Sequence, residues 1–413
     1  MTHPTLTTRE FRRAFLLVTS LFFLWGLAHG LVDTLNKHFQ LILQMTKAQS
    51  GLIQFALYGA YFGMALPAGF FMRKFGYKKG ILLGLGLFAA GAFLIAGTTV
   101  FASFWVFLPC LFLLGCGLAT LETAANPYTI RLGPQETSER RINFAQSFNG
   151  LAWVVGPIIG LAIYGNQGVT PDEKLQSLIL PYTLIGGAVM LVFYLIYRTP
   201  LPEIREEAAR PAEDDRATAG TAHPPLFRRR HFVLGVLAQL AYVAAQTGVF
   251  SYLINFVTDE GQTPHFDVKY GPWFLSIGFA LFMGGRMGSS YLMAVVKPAK
   301  LLALYALLCS AALLVISANL GWISLIALFA VFFFMSVMFP TIFALGIRDL
   351  GTDTQRGASF MVMSIVGGAL FPMFMGWIAD HYGMAAGFLA PLPLFLYIFY
   401  YALAGSRRET LDS

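Results

Sequence analysis

Twelve runs of mostly apolar residues follow one another along the chain, each long enough to cross a bilayer as a helix. They fall at 14–35, 50–72, 79–99, 103–130, 142–166 and 177–198, then at 231–257, 271–296, 299–318, 320–347, 357–379 and 383–404. A helix rises about 1.5 Å per residue, so ~20 residues cross the hydrocarbon core. Membrane β-strands run to about 10 residues and alternate in polarity, and these segments do neither. The sequence therefore predicts an all-α integral membrane protein of twelve transmembrane helices. Composition agrees, since 57% of the 413 residues are hydrophobic and only 12% charged, against about 25% charged in soluble domains. The polar, basic stretch 1–13 leads into a run too long for a signal-peptide core, with no small-residue cleavage pattern before Asp33. It reads as a retained first helix.

The net charge of +7 is distributed as membrane topology requires rather than as a nucleic-acid surface. Basic residues sit in short loops and form no stripe with interleaved aromatics, which excludes nucleic acid as a partner. Of the 28 Lys and Arg, Lys37, Lys47, Lys174 and Lys269 fall on one side and Arg286 lies inside a run; all the others share the opposite side. That asymmetry predicts a multi-pass protein of the cell (inner) membrane with both termini cytoplasmic. A hydrophilic stretch at 199–230, rich in Glu and Arg and ending in Arg228, Arg229 and Arg230, divides six runs from six. The expected organisation is an N-terminal six-helix bundle over 1–198, a cytoplasmic linker over 199–230 and a C-terminal six-helix bundle over 231–413.

The halves echo each other. The fourth run ends in Asn126-Pro127-Tyr128-Thr129 with Arg131 and Gly133 following; the tenth carries Phe339-Pro340-Thr341 with Arg348 and Gly351. The fifth and eleventh share Ala145…Gly156-Pro157 against Ala358…Gly367-Gly368…Pro372. Such a repeat about an axis normal to the membrane resembles the major facilitator superfamily. The basic loop Arg73-Lys74-Phe75-Gly76-Tyr77-Lys78-Lys79-Gly80 resembles that superfamily's loop between spans two and three, with Met72 where an acid is usual.

Ionisable side chains inside the runs are the most informative positions, because each costs several kcal/mol unless paired or facing water. They are Asp33 and His29 in the first run, Glu122 in the fourth and Arg286 in the eighth. Asp33 and His29, four residues apart, share a helix face. Amides and aromatics accompany them: Trp25 in the first run, Gln146 and Asn149 in the fifth, Gln239, Tyr242, Gln246, Tyr252 and Asn255 in the seventh. Acids and amides bind hydroxyls, and an aromatic face packs on the C–H face of a sugar. Two readings stand at each position. An acid either pairs with Arg286 or carries a proton, and two acids cannot both be neutralised by one base. The amides either join helices or hold a ligand. Trp25 either packs or lines the site; His29 is either a satisfied core residue or a relay.

Cys110, Cys116 and Cys309 lie within apolar runs without paired spacing, so they predict neither a disulfide nor a metal site. Glycines such as Gly84 and Gly86, or Gly284 and Gly285, sit in helices without a preceding strand and predict close helix contact rather than a phosphate cradle. No Walker sequence, Ser-His-Asp set or metal cluster is legible, which argues against an ATP-driven pump or an enzyme.

The most specific strings resemble the L-fucose:proton symporter family. They are Phe22-Phe23-Leu24-Trp25-Gly26 with Asp33, Leu121-Glu122-Thr123-Ala124-Ala125-Asn126-Pro127, Asn143 with Ala145-Gln146 and Phe148-Asn149, Tyr242-Val243-Ala244-Ala245-Gln246-Thr247, Ser251-Tyr252-Leu253-Ile254, and Pro340 to Ile347. The resemblance implies proton coupling at Asp33 and Glu122. It places sugar at Glu122, Gln146 and Asn149; Trp25, His29, Gln239, Tyr242, Gln246 and Phe339 complete the expected substrate-binding set. It implies a monomer in the bilayer, no cofactor, and H+ as coupling ion. Two departures bear on the sugar: His29-Gly30 replace a pair of asparagines, and Phe339 replaces a tyrosine. The expected function is proton-coupled symport of L-fucose or a related hexose such as galactose or glucose, by alternating access. Sodium-coupled sugar symport, drug:proton antiport and a non-transporting membrane sugar sensor are the alternatives.

Overall fold

The computed structural model describes residues 7–8, 10–42, 44–98, 104–133, 138–165, 178–202, 225–262, 264–293, 296–348, 350 and 353–406. Most of the linker, 203–224, lies outside them. Before the linker come α1 (Arg12–Ile42), α2 (Lys47–Phe75), α3 (Tyr77–Thr98), α4 (Phe104–Arg131), α5 (Ser138–Gly165) and α6 (Ile179–Arg198). After it come α7 (Arg230–Val257), α8 (Gly271–Leu292), α9 (Pro298–Ser317), α10 (Trp322–Met335), α11 (Met338–Ile347), α12 (Thr354–Met363), α13 (Gly367–Tyr382), α14 (Met384–Gly387) and α15 (Leu392–Tyr400).

Ten stretches of the described residues are long and apolar enough to span a membrane; α10 with α11, and α14 with α15, each make one of them. Helices α5 and α8, of 28 and 22 residues, complete the twelve expected passages by length. Within them α5 carries Arg141, Gln146 and Asn149, and α8 carries Arg286. Large apolar side chains point away from the bundle, among them Leu180, Leu184 and Leu191 on α6 and Trp322, Ile323 and Ile326 on α10. In water that surface would be untenable; in lipid it is the required coat.

Two expected spans differ from the structure in an instructive way. The first run ends at 35 by hydropathy, yet α1 continues to Ile42. The added turns are polar and tied to their neighbours: Asn36 Nδ2 donates to Ser251 O at 3.0 Å, and Gln40 Nε2 donates to Ser50 Oγ at 2.8 Å. The tenth run is one apolar segment in sequence but two helices in space, parted at Ser336 and Val337. Pro340 explains the break, because a proline has no N–H for the carbonyl four residues back, here that of Ser336. Arg286 Nε donates to Ser336 O at 3.1 Å, and Tyr242 Oη donates to Met335 O at 2.9 Å.

Helices α1 and α5 pack closely, and glycine makes this possible. A Cβ on Gly156 would stand 2.9 Å from Gly30 Cα, and one on Gly30 would stand 3.1 Å from Trp153 O. Gly30, expected beside the substrate, therefore serves the crossing of two helices. At the loop between α2 and α3, Gly76 adopts φ 88° and donates its N–H to Met72 O. Met72, where the superfamily motif has an acid, is buried against Gly80. Lys78 Nζ instead donates to Tyr197 O and Thr199 O at 3.0 and 2.8 Å, holding the loop on the C-terminal end of α6.

The hydrogen bonds joining α1, α2 and α5 to the second half gather away from the end that carries Arg12 and Gly405, hereafter the near end. Toward the far end, Asp380 accepts from Lys47 N and Ala48 N at 3.0 and 2.9 Å, and Tyr252 Oη reaches Lys47 O at 2.7 Å. Asn255 Nδ2 donates to Gln40 Oε1, and Lys47 Nζ pairs with Asp259 at 3.7 Å.

Candidate functional site

Asp33 lies two-thirds of the way along α1 and is only 5% exposed. Its Oδ1 accepts from Gln54 Nε2 of α2 at 2.8 Å and from Ser251 Oγ of α7 at 3.3 Å. Gln54 Nε2 is also 2.9 Å from Ser251 Oγ, so the three side chains form a triangle across three helices. Among the described residues Asp33 has no ion pair, so the Arg286 pairing is not its partner in this structure. Arg286 serves the broken α10–α11 segment, with its guanidinium 4.9 Å from the Phe282 ring.

One turn before Asp33, His29 sits in an aromatic box. Its ring stacks on Trp153 at 5.6 Å and 11°, and meets Trp25, Tyr58 and Tyr61 at 6.2, 6.1 and 5.9 Å. Its Nδ1 lies 3.1 Å from Trp25 O. The imidazole is thus held by both a backbone carbonyl and four rings, as a satisfied core residue would be.

Glu122, on α4, belongs to the same neighbourhood. The Tyr61 side chain is within electrostatic reach of Glu122, and that of Tyr58 within reach of both Glu122 and Asp33. The buried Tyr61 hydroxyl stands beside the Glu122 carboxyl. A phenol and a carboxyl side by side in an apolar bundle offer a donor and an acceptor to a hydroxyl-bearing ligand. Gln54, Tyr58 and Tyr61 fall at i, i+4 and i+7 on α2, one face of a helix. That polar and aromatic stripe in an apolar run was the available sequence signal for residues the sequence reading passed over. Ser251 was legible only within the string Ser251-Tyr252-Leu253-Ile254, and Trp153 carried little signal.

The amides of α5 have protein partners here. Gln146 Nε2 donates to Asn126 Oδ1 at 3.3 Å, and Asn149 Nδ2 to Phe22 O at 3.1 Å, so both join helices in this conformation. From the second half, Tyr242 is fully buried and its hydroxyl donates to Met335 O. Its ring lies edge-on to half-buried Phe339 at 6.2 Å, and Phe339 stacks on Phe343 at 6.4 Å. Gln239 is fully buried, and among the described residues neither of its side-chain polar atoms finds a hydrogen-bond partner, while Gln246 is half-buried. The structure thus brings Trp25, His29, Asp33 and Glu122 together around Tyr58 and Tyr61. Tyr242 approaches Tyr58 only to electrostatic range, and Gln239 lies inside the second half. An open depression of about 390 Å³ near Lys37, His265 and Asp267 contains none of the expected site residues. Among the described residues no three His, Cys, Asp or Glu gather as metal ligands.

A broken tenth span, two intramembrane acids and a hydrogen bond from the second half to one of them, Asp33, set the frame for comparison. The Major Facilitator Superfamily model matches residues 14–359. The chain belongs to that superfamily. Its fold is that of a secondary transporter rather than an enzyme. The chain is 37% identical to the L-fucose-proton symporter of Escherichia coli strain K12, over 98% of this chain and 95% of that protein. It is 33% identical to a glucose/galactose transporter of Brucella abortus biovar 1, over 94% and 93%. Among solved structures, the transporter FucP in its outward conformation aligns with a TM-score of 0.71 at 36% identity, covering 95% of this chain and 99% of that one. A D-xylose-proton symporter aligns with a TM-score of 0.75 at 13% identity and shares the fold.

Proposed function

We propose that this chain is a proton-coupled symporter of a small neutral hexose, L-fucose or a relative such as galactose or glucose, working by alternating access. The observation that carries the reading is the pair of intramembrane acids, Asp33 and Glu122. Neither has an ion-pair partner among the described residues, Tyr58 lies within electrostatic reach of both, and Tyr61 stands beside Glu122. The names of relatives at 37% and 33% identity support it, one a proton symporter of L-fucose and the other a glucose/galactose transporter.

In this mechanism Asp33 loads and releases the coupled proton, and Glu122 holds a sugar hydroxyl with Tyr61 and takes part in coupling. Protonation removes negative charge from the cavity, so the loaded carrier can close over a dry site. The oxygens of Gln146 and Asn149 accept further hydroxyls, and Trp25 offers an apolar face to the ring. The two six-helix bundles, 1–198 and 231–413, rock about the site, joined by the 199–230 linker. The protein acts as a monomer in the bilayer of the cell inner membrane, needs no cofactor, and has both termini in the cytoplasm, as its loop charges require. The far end, where the halves are hydrogen-bonded, then faces outward, and this conformation releases toward the cytoplasm. Uptake of a panel of labelled hexoses and deoxyhexoses into proteoliposomes tests the reading. Accumulation of one or more sugars should appear only with an inward proton gradient; accumulation driven by sodium alone, or no accumulation of any sugar, overturns it.

A further inference from the structure

We infer that Ser251 is a positioning residue for the coupled proton, supplied to Asp33 only when the far end is closed, and that it thereby drives proton release at the near end. The inference rests on the proton-symport reading above. Its basis is the unequal origin of the two donors on Asp33 Oδ1. Gln54 stands on α2, beside α1 in the same half of the chain, and donates at 2.8 Å; Ser251 stands on α7 of the other half and donates at 3.3 Å. Ser251 is held to α1 a second time, because its backbone oxygen accepts from Asn36 Nδ2 at 3.0 Å. It is 1% exposed, so no water competes for the contact.

Hydrogen bonds donated to a carboxylate favour its ionised form. Rocking that opens the far end parts α7 from α1 and takes Ser251 with it, while Gln54 stays beside Asp33. Asp33 then faces the outside with one donor and binds a proton more readily. Closure returns the second donor, and the neutral acid becomes a carboxylate, its proton passing to water at the near end. The other titratable groups about Asp33 are His29 and Lys37 one turn to either side on α1, Tyr58 and Tyr61 on α2, Glu122 on α4 and Tyr252 on α7. Arg141, on α5, is occupied with Thr129 O and Gly133 O. Among the described residues, none of these groups donates a hydrogen bond to Asp33. Only Ser251 among the donors changes sides.

The test is sugar uptake by right-side-out vesicles carrying the full chain, with internal and external pH set independently. Ser251→Ala should raise by about one unit the internal pH at which uptake is half-inhibited, leaving the external-pH midpoint in place. Ser251→Thr, which restores the hydroxyl, should return the internal midpoint to that of the unaltered protein. Gln54→Ala removes a donor present in both states and should move both midpoints. If Ser251→Ala does not assemble, Ser251→Cys, a weaker donor of similar size, should give a smaller shift in the same direction. An unmoved internal midpoint, or equal movement of both, overturns the inference. Failure of the unaltered protein to accumulate sugar under a proton gradient would instead overturn the symport reading beneath it.

Discussion

Asp380 of α13 receives the backbone N–H groups of Lys47 and Ala48, at 3.0 and 2.9 Å, so a carboxylate from the second half of the chain sits on the first turn of α2 in the first half. The first N–H groups of a helix have no partner within it and carry the positive end of its dipole. Asp380 meets both needs, and beside it Thr46 and Gln49 close a local capping box. The far end is therefore fastened by a contact that exists only while the halves are together.

Asp380→Ala should loosen that closure by about 1–2 kcal/mol, the usual worth of a carboxylate at a helix N-terminus. Spin labels at Leu41 and Tyr382, exposed positions on the two halves near the far end, would report it. The longer-distance population should rise roughly five- to thirty-fold relative to the shorter one. An unchanged distance distribution would show that Asp380 only caps α2.

Asp33→Asn should abolish accumulation driven by a pH gradient while sugar-for-sugar exchange persists. The substitution keeps the shape and can still accept from Gln54 and Ser251, but it fixes the neutral state. Measured concentration of sugar against a gradient by this variant would remove Asp33 from the coupling step.

Glu122→Ala should weaken sugar binding itself. Losing one hydroxyl contact in a closed polar site costs about 1–3 kcal/mol, or roughly ten- to a hundred-fold in affinity. Titration of purified protein with the transported sugar checks this, and an unaltered Kd would place the sugar away from α4.

Phe339→Tyr should re-order preference among hexoses and leave proton coupling intact. The ring lies edge-on to Tyr242 on the short helix that begins just after the break in the tenth span, where a phenolic hydroxyl would add a donor. Competition among labelled sugars measures the ranking; one that does not move puts position 339 outside the cavity.

Gly30→Ala should destabilise the protein rather than retune its substrate. The new methyl would meet Trp153 O at 3.1 Å and Gly156 Cα at 3.4 Å, forcing α1 and α5 apart. Overpacking of this kind costs about 1–3 kcal/mol. A lowered Tm with unchanged sugar ranking is expected; a changed ranking at unchanged Tm would return Gly30 to the site.

The sequence alone determined the helices, because a backbone in lipid must satisfy its own hydrogen bonds and a run of ~20 apolar residues leaves it only one way to do so. It also exposed Asp33, Glu122 and Arg286, since a charge inside such a run is rare and conspicuous. Even the break in the tenth span was latent in Pro340, whose missing N–H frees the carbonyl of Ser336. What the sequence withheld was who answers whom. Ser251 lies 218 residues from the carboxylate it serves, and Arg286 lies 50 residues from the carbonyl it takes rather than beside an acid. Asp380 reaches α2 across 332 residues. Periodicity records which face of a helix is apolar, not which distant polar group will meet it. Those partners are decided by how twelve passages pack, because in hydrocarbon each buried polar group must find its complement among whatever neighbours the packing brings.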